Sequence, residues 1–182
     1  MNDEKIVIRK VNENDGYDWM KLVNSVWRTS YKHIFPEEVF REKDNNIDKK
    51  VATFTERIRN DNQNIAYVAE AKGRIIGIMC GSINSGYEHF KNEYADLNAI
   101  YIDSNYQGKG IGSSFKNIFE KWAKENGATK YVIGVLKDNR KARKVYESWG
   151  GKLSDYSSDF IKFNVGYTEI FYLYDLEKER KW

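Results

Sequence analysis

Residues Ile100 to Trp122 read IYIDSNYQGKGIGSSFKNIFEKW, with three glycines in five positions between an apolar run and a helical pattern. From Ile111 onward, Phe115, Ile118, Phe119 and Trp122 recur at the spacing of one helix face, so the glycines mark a strand-to-helix junction. The first turn of that helix holds no carboxylate, only Ser113 and Ser114. A helix start leaves backbone N–H groups unpaired and carries the positive end of the dipole, which an acidic side chain ordinarily answers. An external anion would answer them here. Glycines remove the Cβ atoms that would hold a phosphate away, and they allow the angles that turn successive amides toward it.

The rest of the chain sets limits on this reading. At 182 residues, with 41% hydrophobic and 15% aromatic content, it suits one well-filled core, and a single domain over 1–182 is expected. No apolar run of about 18 residues occurs. The opening MNDEKIVIRK is acidic and strand-like where a signal peptide would be basic and then apolar, so a cytoplasmic protein with no membrane partner is expected. Cys80 is the lone cysteine and excludes an internal disulfide; a buried, small apolar role is expected for it. With His33 and His89 it makes no ligand-spaced cluster, so no metal is expected. The net charge of +3 leans basic, yet acidic residues are almost as numerous. That balance does not call for nucleic acid and permits an anionic ligand.

Periodicity supplies the elements. KIVIRKV (5–11) alternates as a strand; Trp19, Leu22, Val23, Val26 and Trp27 follow at helical spacing with Asp15 as the cap. Pro36 opens further helix, with Val39, Phe40, Val51, Phe54 and Ile58 on its apolar faces up to about Arg59 and EKDNNIDKK looped between. A hairpin turns at AKGR between a strand ending at Glu70 and one from Arg74 to Ile83. GYEHFKNEY is a connector and YADLNAIYI a strand; TKYVIGVL (129–136) is a buried strand and DNRKARKVYESWGG a short helix. Strands near Lys152–Phe163 and Tyr167–Leu176 close the chain. The order implies an α/β fold of the α+β kind, a mixed sheet flanked by helices.

Three phosphate-binding patterns compete at the glycines. A nucleotide-triphosphatase loop needs Ser or Thr after the lysine, and Lys109 is followed by Gly110. A dinucleotide fingerprint needs glycine where Ser113 stands and an acidic residue about 20 positions on. The remaining pattern, Gln107-x-x-Gly110-x-Gly112, resembles the GNAT superfamily of acetyl-CoA-dependent N-acetyltransferases. Ile100, Tyr101 and Ile102 match the family's apolar segment that pairs with pantetheine, an instance of strand addition. The resemblance implies that Gln107, Gly108, Lys109, Gly110, Ile111, Gly112 and Ser113 hold the pyrophosphate of acetyl-CoA. Asn139, Ala142, Tyr146 and Gly150 match a second family pattern, which adds Asn139 and Tyr146 to the cofactor contacts. FNVGYTEIFYLYDL resembles the family's last strand. The implied fold is a mostly antiparallel central sheet of about seven strands flanked by four to five helices. Ser104 departs from the family, many of whose members carry proline there.

The implied reaction makes two demands. An alkyl amine with a pKa of about 10.4 is neutral at pH 7 in roughly one molecule in 2,500, a deficit of about 4.6 kcal/mol, so a base is needed. Alternation along YADLNAIYI puts Asp96 with Tyr94 and Asn98 on the more polar face, and it stands where glutamate-using members resembling the histone acetyltransferases carry their base. A solvated strand residue or an ion-pair partner reads equally well from the pattern. Aspartate is a methylene shorter than glutamate, which favours an intervening water. The second demand is a partner for the leaving thiolate, and Tyr146 matches the family's proton donor. Packing is the other reading of Tyr146, since Ala142, Val145, Tyr146 and Trp149 share one stripe.

Lys137, Arg140, Lys141, Arg143 and Lys144 invite a nucleic-acid reading, but a solvated face or a contact to the cofactor's remote phosphate accounts for them as well. Trp27 and Tyr31, four apart on the first helix, are candidates to line the acceptor pocket, or else belong to an aromatic core stripe. The expected partner is a small-molecule or peptide amine; a homodimer is compatible with the sequence. A catalytically idle acyl-CoA-binding module of the same fold is the alternative reading.

Overall fold

The computed structural model describes residues 5–60 and 63–177; the side chains of 57–60, including the expected apolar Ile58, lie outside the described residues, as do residues 1–4 of the acidic opening. The elements run β1 (Val7–Lys10), α1 (Gly16–Tyr31), α2 (Glu37–Asn45), α3 (Ile47–Asn60), β2 (Asn64–Ala71), β3 (Arg74–Ser82), β4 (Ala95–Ile102), α4 (Ile111–Glu125), β5 (Lys130–Leu136), α5 (Arg140–Ser148), β6 (Lys152–Lys162) and β7 (Val165–Asp175). Among the described residues, seven strands form one mixed sheet in the order β1-β2-β3-β4-β5-β7-β6, with five α-helices, as the resemblance implied. Of the ladders described, β1–β2, β5–β7 and β6–β7 are antiparallel. The β4–β5 ladder is parallel and short, joining Ala95 to Tyr131 and Asp96 to Val132.

The chain divides into two compact units, one of residues up to 80 with Ala99–Ile118, the other of Gly81–Asn98 with residues from 119 on. In the first, the stripe of α1 places Trp19, Leu22 and Val26 against Phe54 of α3, Val68 of β2 and Ile78 of β3. Burying such side chains stabilises by about 1.5–3 kcal/mol each. The β2–β3 hairpin turns at Lys72 and Gly73, whose φ angles of 50° and 69° are those of the two-residue turn that matches strand twist. In the second unit, Phe90, Val132 and Phe171 form a buried centre with Tyr87, Tyr94, Tyr156 and Leu173 around it. The β6–β7 ladder shifts register between Leu153 and Ser157, a bulge in the last hairpin.

Several local expectations change. The stretch expected as a loop, EKDNNIDKK, is helical on both sides of Asn46 alone. Asn46 ends α2 by donating its backbone N–H to Glu42 and its side-chain amide to the same carbonyl at 2.8 Å, so one residue suffices to break the helix. Cys80 is half-buried rather than fully enclosed. Asp15 is not the side-chain cap of α1. It accepts from Asn12 N at 2.7 Å in a capping box around a 3₁₀ turn, and its carboxylate accepts from Arg9 Nη1 and Nη2 at 2.8 Å. Arg9 also donates to Glu70 at 3.0 Å, which ties β1, the turn and β2 together.

The Arg9 hydrogen bonds hold the Asp15 carboxyl below its ordinary range even though burial pushes it up. Asp15→Ala is therefore expected to lower stability by about 2–3 kcal/mol near neutral pH, because a cap and the partner of a half-buried guanidinium go together. The deficit, read by urea denaturation, narrows as pH falls through the lowered Asp15 value.

Candidate functional site

The glycine junction of the first unit has the geometry its composition suggests. Asp103 caps a 3₁₀ turn over Ser104–Tyr106 by accepting from Asn105 N at 2.9 Å, so a side chain supplies the rigidity that proline would have given at Ser104. Gln107 donates its side-chain amide to the Ile102 carbonyl at 3.1 Å and closes the turn onto the end of β4. Gly108 and Gly110 have φ of 77° and 80°, angles in which a side chain is strained. A Cβ at either would meet nothing within 4 Å, so backbone conformation, not crowding, requires glycine. Residues 107–110 are exposed, Ile111 is buried, and α4 starts with no acidic residue in its first turn. These are the properties of an anion cradle: bare amides, a dipole end and no internal carboxylate.

In the same unit Trp27 donates its indole N–H to the Tyr101 hydroxyl at 3.0 Å, which joins two of the expected site residues. Trp27 lies parallel to Phe35 with centroids 5.6 Å apart, and Tyr31 meets Trp27 edge-on at 4.9 Å. The Lys43 ammonium stands 3.8 Å from the Trp27 ring centroid. Tyr31 is buried in this cluster, which gives it a packing role, while Trp27 is half-exposed.

Asp96 belongs to the second unit and is not on a solvated face. Its exposure is 1%, because β4 at this point is an interior strand with both sides covered. Oδ2 accepts from the Ser85 hydroxyl at 3.0 Å, while Oδ1 has no hydrogen-bond partner. Burial pushes the carboxyl up to about 6; the Ser85 hydroxyl and the Gly86 amide oppose the shift and the charge of Glu169 adds to it. The connector reaches a second carboxylate as well. Tyr87 donates its backbone N–H to Ser85 Oγ at 3.2 Å and its hydroxyl to Glu169 Oε1 at 2.8 Å.

Tyr146 sits in different surroundings. Its ring lies 5.7 Å from Trp149 and 6.0 Å from Tyr172, and its backbone carbonyl accepts from the Tyr174 hydroxyl at 2.9 Å. The expected stripe on α5 is only partly covered: Val145 is 39% exposed and no residue of the helix is fully buried. Asn139 caps α5, accepting from Ala142 N at 3.2 Å. Within the basic run, Arg143 donates to the Tyr172 hydroxyl at 3.3 Å and to the Lys137 carbonyl at 3.1 Å, so it braces the helix against β7.

Ser85, Tyr87 and Glu169 were not among the residues singled out from the sequence. The only signal for Glu169 was a lone carboxylate inside the aromatic run GYTEIFYLY; Ser85 and Tyr87 lie in a connector with no pattern. A cavity of about 910 Å³ in the second unit, lined by Tyr94, Glu120, Lys130, Trp149 and Tyr174 among others, includes neither Asp96 nor Tyr146. Among the described residues, no group of three His, Cys, Asp or Glu is placed to hold a metal, and no helix is long and apolar enough to cross a membrane.

Residues 19–151 match the family model described as the acetyltransferase (GNAT) family. The chain belongs to that family. It is 22% identical over 143 residues to an uncharacterized N-acetyltransferase of Methanocaldococcus jannaschii, an alignment covering 79% of this chain and 59% of that relative's length. Among solved structures it resembles the PaiA N-acetyltransferase of Thermoplasma acidophilum in complex with coenzyme A, with a TM-score of 0.75, 20% identity and coverage of 94% and 99% of the two chains. YncA of Salmonella typhimurium, a putative acetyltransferase solved with acetyl-CoA, gives a TM-score of 0.67, 16% identity and 96% coverage of each chain. At these identities the structural likeness shows the fold.

For this GNAT chain the buried acid has a measurable cost. Asp96 is raised from 3.8 to about 6, so its burden on stability is absent below pH 4, grows as pH rises through that window and is complete above it. Asp96→Asn is expected to melt higher than the parent at about pH 8, by up to roughly 3 kcal/mol of stability, and to lose that advantage at about pH 4. Calorimetry at the two pH values checks it.

Proposed function

We propose that this chain is an acetyl-CoA-dependent N-acetyltransferase that passes an acetyl group directly to a primary amine, carried by a small molecule such as a polyamine or by a peptide. Residues 1–182 act as one N-acetyltransferase domain, in the cytoplasm. Family membership and the coenzyme A-bound relatives support this reading. The observation that carries it is the exposed turn at Gly108 and Gly110, in left-handed conformation and opening a helix that brings no carboxylate of its own. Gln107 to Ser113 would hold the diphosphate, and Ile100, Tyr101 and Ile102 would pair with the pantetheine amides. Acetyl-CoA, when bound, supplies the thioester.

The side chains supply the rest. Asp96 accepts the proton the amine must lose, through an intervening water, because aspartate reaches a methylene less far than the glutamate of related members. A carboxyl pushed up to about 6 is a better proton acceptor near neutrality than an ordinary aspartate. Tyr146 hydrogen-bonds the leaving thiolate; full transfer from a phenol near pKa 10 to a thiolate near 8.5 is uphill by about 2 kcal/mol, so stabilisation with late proton transfer fits better than early donation. Trp27 lines the acceptor side of the first unit, and Asn139 completes the cofactor contacts.

Free coenzyme A release across a panel of amines tests the reading, which is lost if acetyl-CoA binds but no amine supports turnover; the idle binding module is then the surviving account. Tyr146→Phe is expected to reduce turnover by about 10- to 100-fold with acetyl-CoA affinity within about 2-fold. Equal turnover would remove Tyr146 from the reaction. Gly110→Glu is expected to abolish acetyl-CoA binding by calorimetric titration, since it places a charge where the anion would sit and strains a φ of 80°.

A further inference from the structure

Two carboxyl groups of the second unit are linked through two residues of the connector, Ser85 and Tyr87. Tyr87 donates its backbone N–H to Ser85, whose hydroxyl donates to Asp96, and the Tyr87 phenol donates to Glu169. Glu169 is on β7 and Asp96 on β4, so three separate parts of the chain converge. The backbone between them is kept bare. A Cβ at Gly134 of β5 would lie 2.4 Å from the Tyr87 hydroxyl and 2.9 Å from Glu169 Oε1, so glycine is what lets the Tyr87–Glu169 pair rest on the strand.

The two acids differ in access. Asp96 is 1% exposed and its Oδ1 has no hydrogen-bond partner, whereas Glu169 is half-buried and can be reached. The residue that holds Glu169 belongs to an aromatic cluster: Tyr87 meets Phe171 edge-on at 4.6 Å, Phe171 lies 5.0 Å from Phe90 and 5.5 Å from Tyr156, and His89 stacks on Tyr156 at 4.0 Å. A half-buried carboxylate beside an aromatic cluster is the chemistry that recognises an alkylammonium group. A net charge of +3 would not by itself attract a cationic acceptor, so recognition has to be local.

We propose that Glu169, held by Tyr87 against the bare backbone of Gly134, binds the ammonium group of the acceptor and makes the site selective for cationic amines. The identity of the occupant as the acceptor rests on the acetyltransferase reading; the ammonium site itself does not. Burial raises the Glu169 carboxyl against the hydrogen bonds from Tyr87 and Ser158, and a bound cation would reverse that shift.

Two readouts test this separately. In the first, n-butylamine is added to the protein with coenzyme A and the melting temperature is followed. The parent is expected to be stabilised by the amine, and Glu169→Gln is expected to lose at least three-quarters of the shift while keeping that from coenzyme A. In the second, KM and kcat are measured with n-butylamine, an ammonium ion at pH 7, and with an alkoxyamine, which is neutral, after subtracting the uncatalysed rates. Glu169→Gln should raise KM for n-butylamine at least 20-fold with kcat within about 3-fold, and leave the alkoxyamine KM within about 3-fold. Tyr87→Phe should show the same pattern at about a third of the size, and it carries the test if the glutamine variant fails to fold. Equal effects on the two acceptors, or an unchanged melting shift, overturn the proposal. A parent stabilised by n-butylamine through Glu169 but lacking turnover with every amine leaves the ammonium site standing and removes the acetyltransferase reading.

Discussion

A polar group taken out of water must find a partner or stay costly, and the two units of this chain meet that requirement in opposite ways. At the end of β4 the first unit has an exposed turn that only glycine adopts comfortably, and the helix that follows carries no acidic residue in its first turn. At the start of β4 the second unit encloses the carboxyl of Asp96, answered by the Ser85 hydroxyl and the Gly86 amide, with Oδ1 left over. One strand thus leads into an exposed, carboxylate-free turn at one end and holds a buried carboxyl with an unpartnered oxygen at the other. A positive φ at two glycines and a buried carboxyl are both costs that folding alone would not favour.

The parts legible in the sequence were those with a short-range physical signature. The stripe Phe115, Ile118, Phe119 and Trp122 fixed α4, and the glycines before it fixed the junction, because helix periodicity and positive φ are local properties. The strand count and the mixed sheet followed from the same kind of pattern. What was hidden depended on contacts across the fold. Alternation put Asp96 on the polar side of its strand, and it is buried because neighbouring elements cover both faces. Glu169 and Tyr87 stand 82 positions apart, and no spacing rule connects them. EKDNNIDKK looked like a loop because Ile47 is its single apolar residue, too few to show a helical stripe across the junction of α2 and α3.

Within the acetyltransferase reading these features divide the work along the chain. Deprotonating an alkylammonium at neutral pH is the larger demand, about 4.6 kcal/mol, and it falls on the second unit, where dry surroundings make a carboxyl more basic. Holding a diphosphate would be left to backbone groups of the first unit, which need no titratable side chain and would work independently of pH. Tyr146, beside Tyr172 and Tyr174, is kept in place by the Tyr174 hydroxyl on its own carbonyl, which fixes the end of α5 without using the phenol.

The register shift in the last hairpin settles which side chain Glu169 meets. Lys152 and Leu153 lie opposite Leu173 and Tyr172; continued without interruption, that pairing would set Tyr156 across from Glu169. The bulge advances β6 by two residues, so Ser158 takes that place and Tyr156 is released to stack on His89. Two extra residues in an edge strand therefore exchange a bulky ring for a small hydroxyl beside the carboxylate. They also anchor a ribbon of eleven-residue strands against slippage, since any slide would have to carry the irregularity with it.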